Sequence, residues 1–237
     1  MAARWETNVK TRRSRSEWAL VIGAPALLAL VELIHPHPHD LLHLDVPMWL
    51  VVHYAQIPLF PLAALGVVRL VQGRTGIIAG ICRAAMFVFG ASWTAWDAVA
   101  GVATGILVNA AHSSGAPEAW RAPIDAIWEQ PIMGGGTASV FAVMGAIALS
   151  VGTVFAAIAL KRAGSSWLPV LLLAISGFGI TAFKTHAWPG GPLTFGGLAI
   201  AGAWLLLERA RLTQPDSGAA HESAAPGGRS ATLHGRR

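Results

Sequence analysis

Cys82 is the only cysteine in this 237-residue chain, so a disulfide scaffold is excluded. Charge is nearly as scarce. Asp, Glu, Lys and Arg make up 12% of the residues, about half the roughly 25% of a soluble domain. The charges crowd into the two ends, residues 1–18 and 212–237, and into short connections. What lies between is too apolar for a water-soluble globule, and with 54% hydrophobic residues overall it is too apolar to be disordered. The sequence also lacks a phosphate loop, a dinucleotide fingerprint, a zinc-protease helix, a serine triad and any nucleic-acid module. The net charge of +5 is better explained by membrane topology than by a nucleic-acid partner.

A membrane-crossing helix needs about 20 mostly apolar residues to cover roughly 30 Å of hydrocarbon. Six stretches qualify: 18–35, 47–69, 77–108, 137–160, 167–185 and 192–208. The sequence therefore predicts an all-α integral membrane protein, a bundle of six transmembrane helices within residues 18–211. Cations set the orientation, because cytoplasmic connections are enriched in Lys and Arg. With six spans, 15 of the 17 Lys and Arg fall on one side, and only Arg121 and Lys184 on the other. Both termini are then cytoplasmic, residues 1–17 as an N-terminal segment and 212–237 as a disordered tail, in a bacterial-type inner membrane. Glu6 and Glu17 in a long polar leader, with no small-x-small exit after the apolar run, favour an uncleaved first helix over a signal peptide. Trp18, Trp167 and Trp204 suit the inner interface, and Trp49 and Trp188 the outer one.

Of nine histidines, seven fall at the outer side or in the outer half: His35, His37, His39, His43, His53, His112 and His186. His221 and His234 lie in the tail. Two carboxylates, Glu32 and Asp97, sit inside apolar stretches, where ionisable groups are costly, face the bundle interior and mark functional sites. At 1.5 Å rise per residue, Glu32 and Asp97 each stand about 21 Å above the cation-rich interface, and His53 about 24 Å. Three helices thus deliver Glu32, His53 and Asp97 to one layer. In the third helix Gly90, Thr94, Asp97, Gly101, Thr104 and Gly105 share a face of small residues that permits close helix approach. In the second, His53 and Gln56 share a face just before Pro58 and Pro61, which free the carbonyls of Tyr54 and Ile57. Glu32 and His35, at i and i+3, share a face of the first.

Several chemistries fit these residues. Imidazole is a common ligand for zinc, copper and nickel, which makes His35, His53 and His186 candidate metal ligands. The run His35-Pro-His-Pro-His-Asp40, with His43, adds His37, His39 and His43 as secondary ones. The same run also reads as a polar connection in which Asp40 and Asp45 cap helical turns. His53 and His186 are candidate axial ligands of a haem. The single Glu32-x-x-His35 pair is too little for a di-iron site, which needs two such motifs. If the protein is an enzyme, Asp97 and Glu32 are its acid and base, in a pocket shaped by Gln56, Trp93 and Trp96.

Residues 115–131 carry Trp120, Ile124, Ile127 and Trp128 as an apolar stripe expected to lie flat on the outer interface or to cover the polar layer, with Arg121 and Asp125 paired at i and i+4. Three functions stay open. The leading one is handling of a transition metal or metal cofactor at an outward-facing site. The others are acid–base catalysis on an apolar lipid, terpenoid or quinone-like molecule, and a non-catalytic partner subunit. The bilayer is the one partner common to all three.

Overall fold

The computed structural model describes residues 15–213 apart from Pro38 and Thr137. Residues 1–14 and 214–237, which hold most of the expected N-terminal segment and the expected tail with His221 and His234, lie outside the described residues. The described chain is all-helical. Five helices are long and apolar enough to cross a membrane: α1 (Arg15–Leu33), α2 (Val46–Leu70), α3 (Ile77–Ser113), α5 (Val140–Arg162) and α8, which runs Gly190–Thr213 and has Gly190–Arg211 as its span. The short α4 (Arg121–Trp128) lies between α3 and α5, and α6 (Trp167–Ser176) and α7 (Gly179–Phe183) lie between α5 and α8.

The stretch expected as a fifth continuous span, 167–185, is therefore broken. Gly177 and Phe178 interrupt it, and Lys184 ends α7 in the left-handed region at φ 53°. Backbone groups freed at membrane depth must be satisfied inside the protein. Here Ser150 Oγ donates to the Gly177 carbonyl at 2.7 Å, and Thr194 Oγ1 accepts from the Ile180 amide at 3.1 Å. Nothing in the hydropathy of 167–185 announces this break, because the side chains that compensate it sit on other helices.

Packing follows the small-residue faces. Gly90, Asp97, Gly101, Thr104 and Gly105 are all buried. A methyl group at Gly90 would press on Pro61, and one at Gly105 on Trp49 and Leu50, so α3 lies directly against α2. At the centre Phe60, Phe89, Trp93 and Phe195 stack in edge and tilted contacts with ring centres 5.0 to 6.5 Å apart. Many large apolar side chains point outward, among them Leu30, Val51, Phe87, Ile147, Leu171 and Ile200. Single exposed apolar residues are ordinary, but an apolar exterior around long helices is what lipid contact requires. The protein is a multi-pass membrane protein by this measure.

The two proline positions in α2 resolve as expected at one carbonyl: Thr94 Oγ1 points its hydroxyl at the Ile57 oxygen, 3.5 Å away. Asp40 caps the turn Leu41–His43 through the Leu42 amide, and Asp45 caps α2 through the Met48 amide. At the cation-rich end Arg209 of α8 pairs with Glu17 of α1 and donates to the Leu70 carbonyl. Arg83 closes the α2–α3 turn by donating to the Arg74 carbonyl.

Three outer-side expectations need correction. Trp49 is buried and donates its indole N–H to the Gly101 carbonyl at 2.7 Å, so it is a core residue and not an interface anchor. The stripe on α4 does not lie flat on the membrane. Ile124 is fully buried, and Trp120 and Trp128 pack with it on Leu42, Leu44, Val46, Trp49, Val108 and Ala111. Arg121 reaches Asp40 and Glu118 instead of Asp125. Pro123 falls in the first turn of α4, where its missing N–H costs nothing, and this lets the helix run on to Trp128.

The Arg121 guanidinium is the main cause holding the Asp40 carboxyl down at about 2, and it lowers Glu118 as well. A depressed carboxylate lends its pairing at neutral pH and loses it only as pH falls through that lowered value. Arg121→Gln is expected to return the Asp40 titration toward the usual value near ~4, read by carbon-13 NMR of its carboxyl. Amide exchange in α4 should then be faster than in the unaltered protein at neutral pH, with the difference vanishing only as pH falls through the lowered Asp40 value. An unchanged Asp40 titration would show that Arg121 does not hold the loop.

Candidate metal centre

Three histidines distant in sequence converge. His35 follows the end of α1, His53 lies about two turns into α2, and His186 belongs to the turn between α7 and α8. One ring nitrogen from each lies within 4.8 Å of the other two. His35 Nε2 and His186 Nε2 are 3.1 Å apart. Two ligands about 2.05 Å from one tetrahedral zinc ion stand roughly 3.3 Å apart, so this spacing matches an edge of such a site.

The tautomers are fixed by the backbone. His35 Nδ1 bonds the Pro36 carbonyl at 2.8 Å, and His53 Nδ1 bonds the Trp49 carbonyl at 2.7 Å. A carbonyl only accepts, so both Nδ1 atoms carry the proton and both Nε2 atoms present a lone pair. Metal-ligating histidines commonly show this arrangement, in which the outer nitrogen is tied to a carbonyl or carboxylate. His186 Nε2 donates to His35 Nε2. Placing an ion among the three requires His186 only to carry its proton on the other nitrogen.

Asp97 completes the cluster. Its Oδ1 lies 3.7 Å from His53 Nε2, beyond hydrogen-bond length. The residue is 1% exposed, and neither carboxyl oxygen has a hydrogen-bond partner among the described residues. A buried polar group without a partner costs about 1–3 kcal/mol, and more when charged. An acceptor facing an acceptor across 3.7 Å is favourable only when a proton or a cation lies between them.

Backbone irregularity positions these groups. Directly after Asp97, α3 widens into a π-helical segment, Ala98–Ala103, the kind of insertion that recurs at functional sites. It turns the Gly101 carbonyl to Trp49, and Gly101 itself lies flat under the His53 ring, where a methyl group would overlap the imidazole. Gly101→Ala is therefore expected to displace His53 and lower metal occupancy without removing any ligand. Metal content per folded protein measures it, and full occupancy in Gly101→Ala would contradict this role.

The cluster faces a cavity of about 640 Å3. Trp49, Trp93, Trp96 and Trp128 are among its walls. Trp93 donates its indole N–H to the Ala142 carbonyl and Trp96 to the Gly134 carbonyl. Both rings meet His186 edge to face, at 5.8 and 5.0 Å. Trp49 stacks obliquely on His53 at 4.2 Å. With the indole N–H groups of Trp49, Trp93 and Trp96 tied to backbone carbonyls, these three walls are apolar.

The other candidates are placed differently. Glu32 accepts a 2.8 Å hydrogen bond from Gln56 Nε2 in a fully buried pair that does not line the cavity. His37 is exposed, lines the cavity and lies 6.0 Å from the His35 ring. His39 and His43 are exposed outside the cluster, His43 beside Asp40 at 3.1 Å. His112 bonds the Leu42 carbonyl. Sequence reasoning missed Trp49 and Gly101 as supports of the site, although Gly101 stood on the small-residue face. No family model matches the chain, and neither a curated protein nor a solved structure shows significant similarity to it.

Proposed function

We propose that this membrane protein binds a transition-metal ion between His35, His53 and His186, with Asp97 as the fourth ligand or as the partner of a metal-bound water. The observation that carries this reading is the pair of imidazoles whose Nδ1 protons are committed to backbone carbonyls. This leaves their Nε2 lone pairs beside a third imidazole and an unpartnered carboxyl. Three histidines with an open fourth position favour zinc among abundant ions, since open three-ligand sites are typical of reactive zinc. Direct ligation is favoured over haem, because a porphyrin plane at His186 Nε2 would have to pass where His35 Nε2 stands 3.1 Å away. Glu32, held by Gln56 away from the cavity, is a helix-packing group in this reading.

The broken stretch 167–185 serves as the fifth of six crossings in chain order. Both termini are then cytoplasmic, in keeping with the one-sided Lys and Arg, and the metal centre opens toward the outer face of a bacterial-type inner membrane. Residues 1–17 and 212–237 flank the bundle on the cytoplasmic side. The test is equilibrium dialysis of the protein, purified in mild detergent without a histidine tag, against zinc and cobalt. One ion per chain is expected, with cobalt giving the visible spectrum of a four-coordinate nitrogen-rich site. Less than 0.1 ion per chain at about micromolar free metal, a range where structural and reactive zinc sites fill, would overturn the reading.

A further inference from the structure

A site that only held a water-borne ion would need neither an aromatic cavity nor an opening into lipid, and this one has both. Val143 and Ile147 of α5, with Thr181 of α7 and Lys184 just beyond it, line the cavity and are also exposed on the outside of the bundle. Val143 is 41% and Ile147 55% exposed. A side chain that faces both the cavity and the exterior marks an opening. Ile147 stands seven residues into α5, about 10 Å from that helix's N-terminal end, within the apolar stretch of a span. The opening is therefore at hydrocarbon depth. It lies beside the break in 167–185, after which only the five-residue α7 precedes Lys184.

We infer that the cavity takes an apolar alcohol or phenol dissolved in the bilayer, which enters between α5 and α7. This inference rests on the metal-binding reading. The hydroxyl oxygen binds the metal ion while its O–H bond breaks, and the proton passes to the Asp97 carboxylate. That transfer gives the unpartnered carboxyl beside His53 a function. The hydrocarbon body lies among the faces of Trp49, Trp93 and Trp96, where an unsaturated or aromatic ring gains most. Exposed Thr181 and Lys184 mark the polar rim of the opening.

The test uses the full chain loaded with cobalt in phosphatidylcholine nanodiscs, with 1-naphthol as the membrane-soluble probe and azide as the water-soluble one. In the unaltered protein, 1-naphthol should shift the visible cobalt bands saturably. Ile147→Trp, which fills the opening, should weaken the response to 1-naphthol at least tenfold and leave cobalt content and the azide response intact. Val143→Trp serves the same purpose should Ile147→Trp fail to fold. Cobalt bands insensitive to 1-naphthol, or equally sensitive in both opening variants, would overturn lateral access while leaving the metal site standing. Failure to bind cobalt at all would overturn the metal site itself and this inference with it.

Discussion

Replacing His186 with alanine is expected to weaken zinc binding by about 100-fold or more, since even loss of an outer-shell partner costs 10- to 100-fold. The fold should survive, because His186 is only partly buried and lies in a turn between helices. Its removal also leaves His35 Nε2 as a lone pair without a donor. His35→Ala and His53→Ala should weaken zinc to a similar degree, but they differ in structural cost. His53 is wedged between Trp49 and Gly101, so His53→Ala opens space in a packed interior, and such truncations typically cost a few kcal/mol. Competition titration with a chromophoric chelator measures affinity, and thermal unfolding in detergent separates the two effects. Alanine at all three positions with zinc affinity unchanged would place the ion elsewhere, with the exposed His37, His39 and His43 as the first alternative.

Asp97→Asn should act with opposite sign on the metal-free and metal-loaded protein. Without metal, the change removes a carboxyl whose two buried oxygens lack partners and supplies an amide able to donate to His53 Nε2, 3.7 Å from the present Oδ1. The apo protein should therefore unfold at the same temperature or a higher one. With zinc, the same change removes the negative partner and should weaken binding about 10- to 100-fold. A helix-packing role predicts the reverse, a less stable apo protein and no effect on zinc. The crossing of the two stabilities is thus diagnostic. Unfolding temperatures with and without saturating zinc, for both proteins, read it directly.

The fold class was legible because burying a backbone in lipid demands long apolar runs, and those runs are visible in composition alone. Depth was legible too. Constant helical rise put His53 and Asp97 in one layer, and they meet across 3.7 Å. The small-residue face of α3 correctly pointed Asp97 inward, since Gly90, Gly101 and Gly105 all lie against neighbouring residues of α2. What could not be read was lateral placement. Glu32 shares the layer but pairs with Gln56, a choice set by how α1 rotates against α2. His186 joined His35 because the chain turns sharply between α7 and α8. The break at Gly177 was hidden because the groups that compensate it, Ser150 for the Gly177 carbonyl and Thr194 for the Ile180 amide, sit on the flanking helices α5 and α8, and such side-chain bonds leave no trace in hydropathy. The amphipathic stripe of α4 was correctly seen, but its two readings, lying on the membrane or covering the polar layer, could not be separated, since periodicity identifies an apolar face but not whether lipid or protein covers it; it packs on protein, with Trp128 at the cavity.

X-ray absorption at the zinc edge, on the protein loaded with one equivalent, tests the central claim most directly. Three imidazole nitrogens at about 2.0–2.1 Å and one oxygen at a similar distance are expected, with the imidazole signal falling to two in His186→Ala. A shell of oxygens alone, or a histidine count that does not change when His186 is removed, would contradict the assignment of His35, His53 and His186 as the ligands.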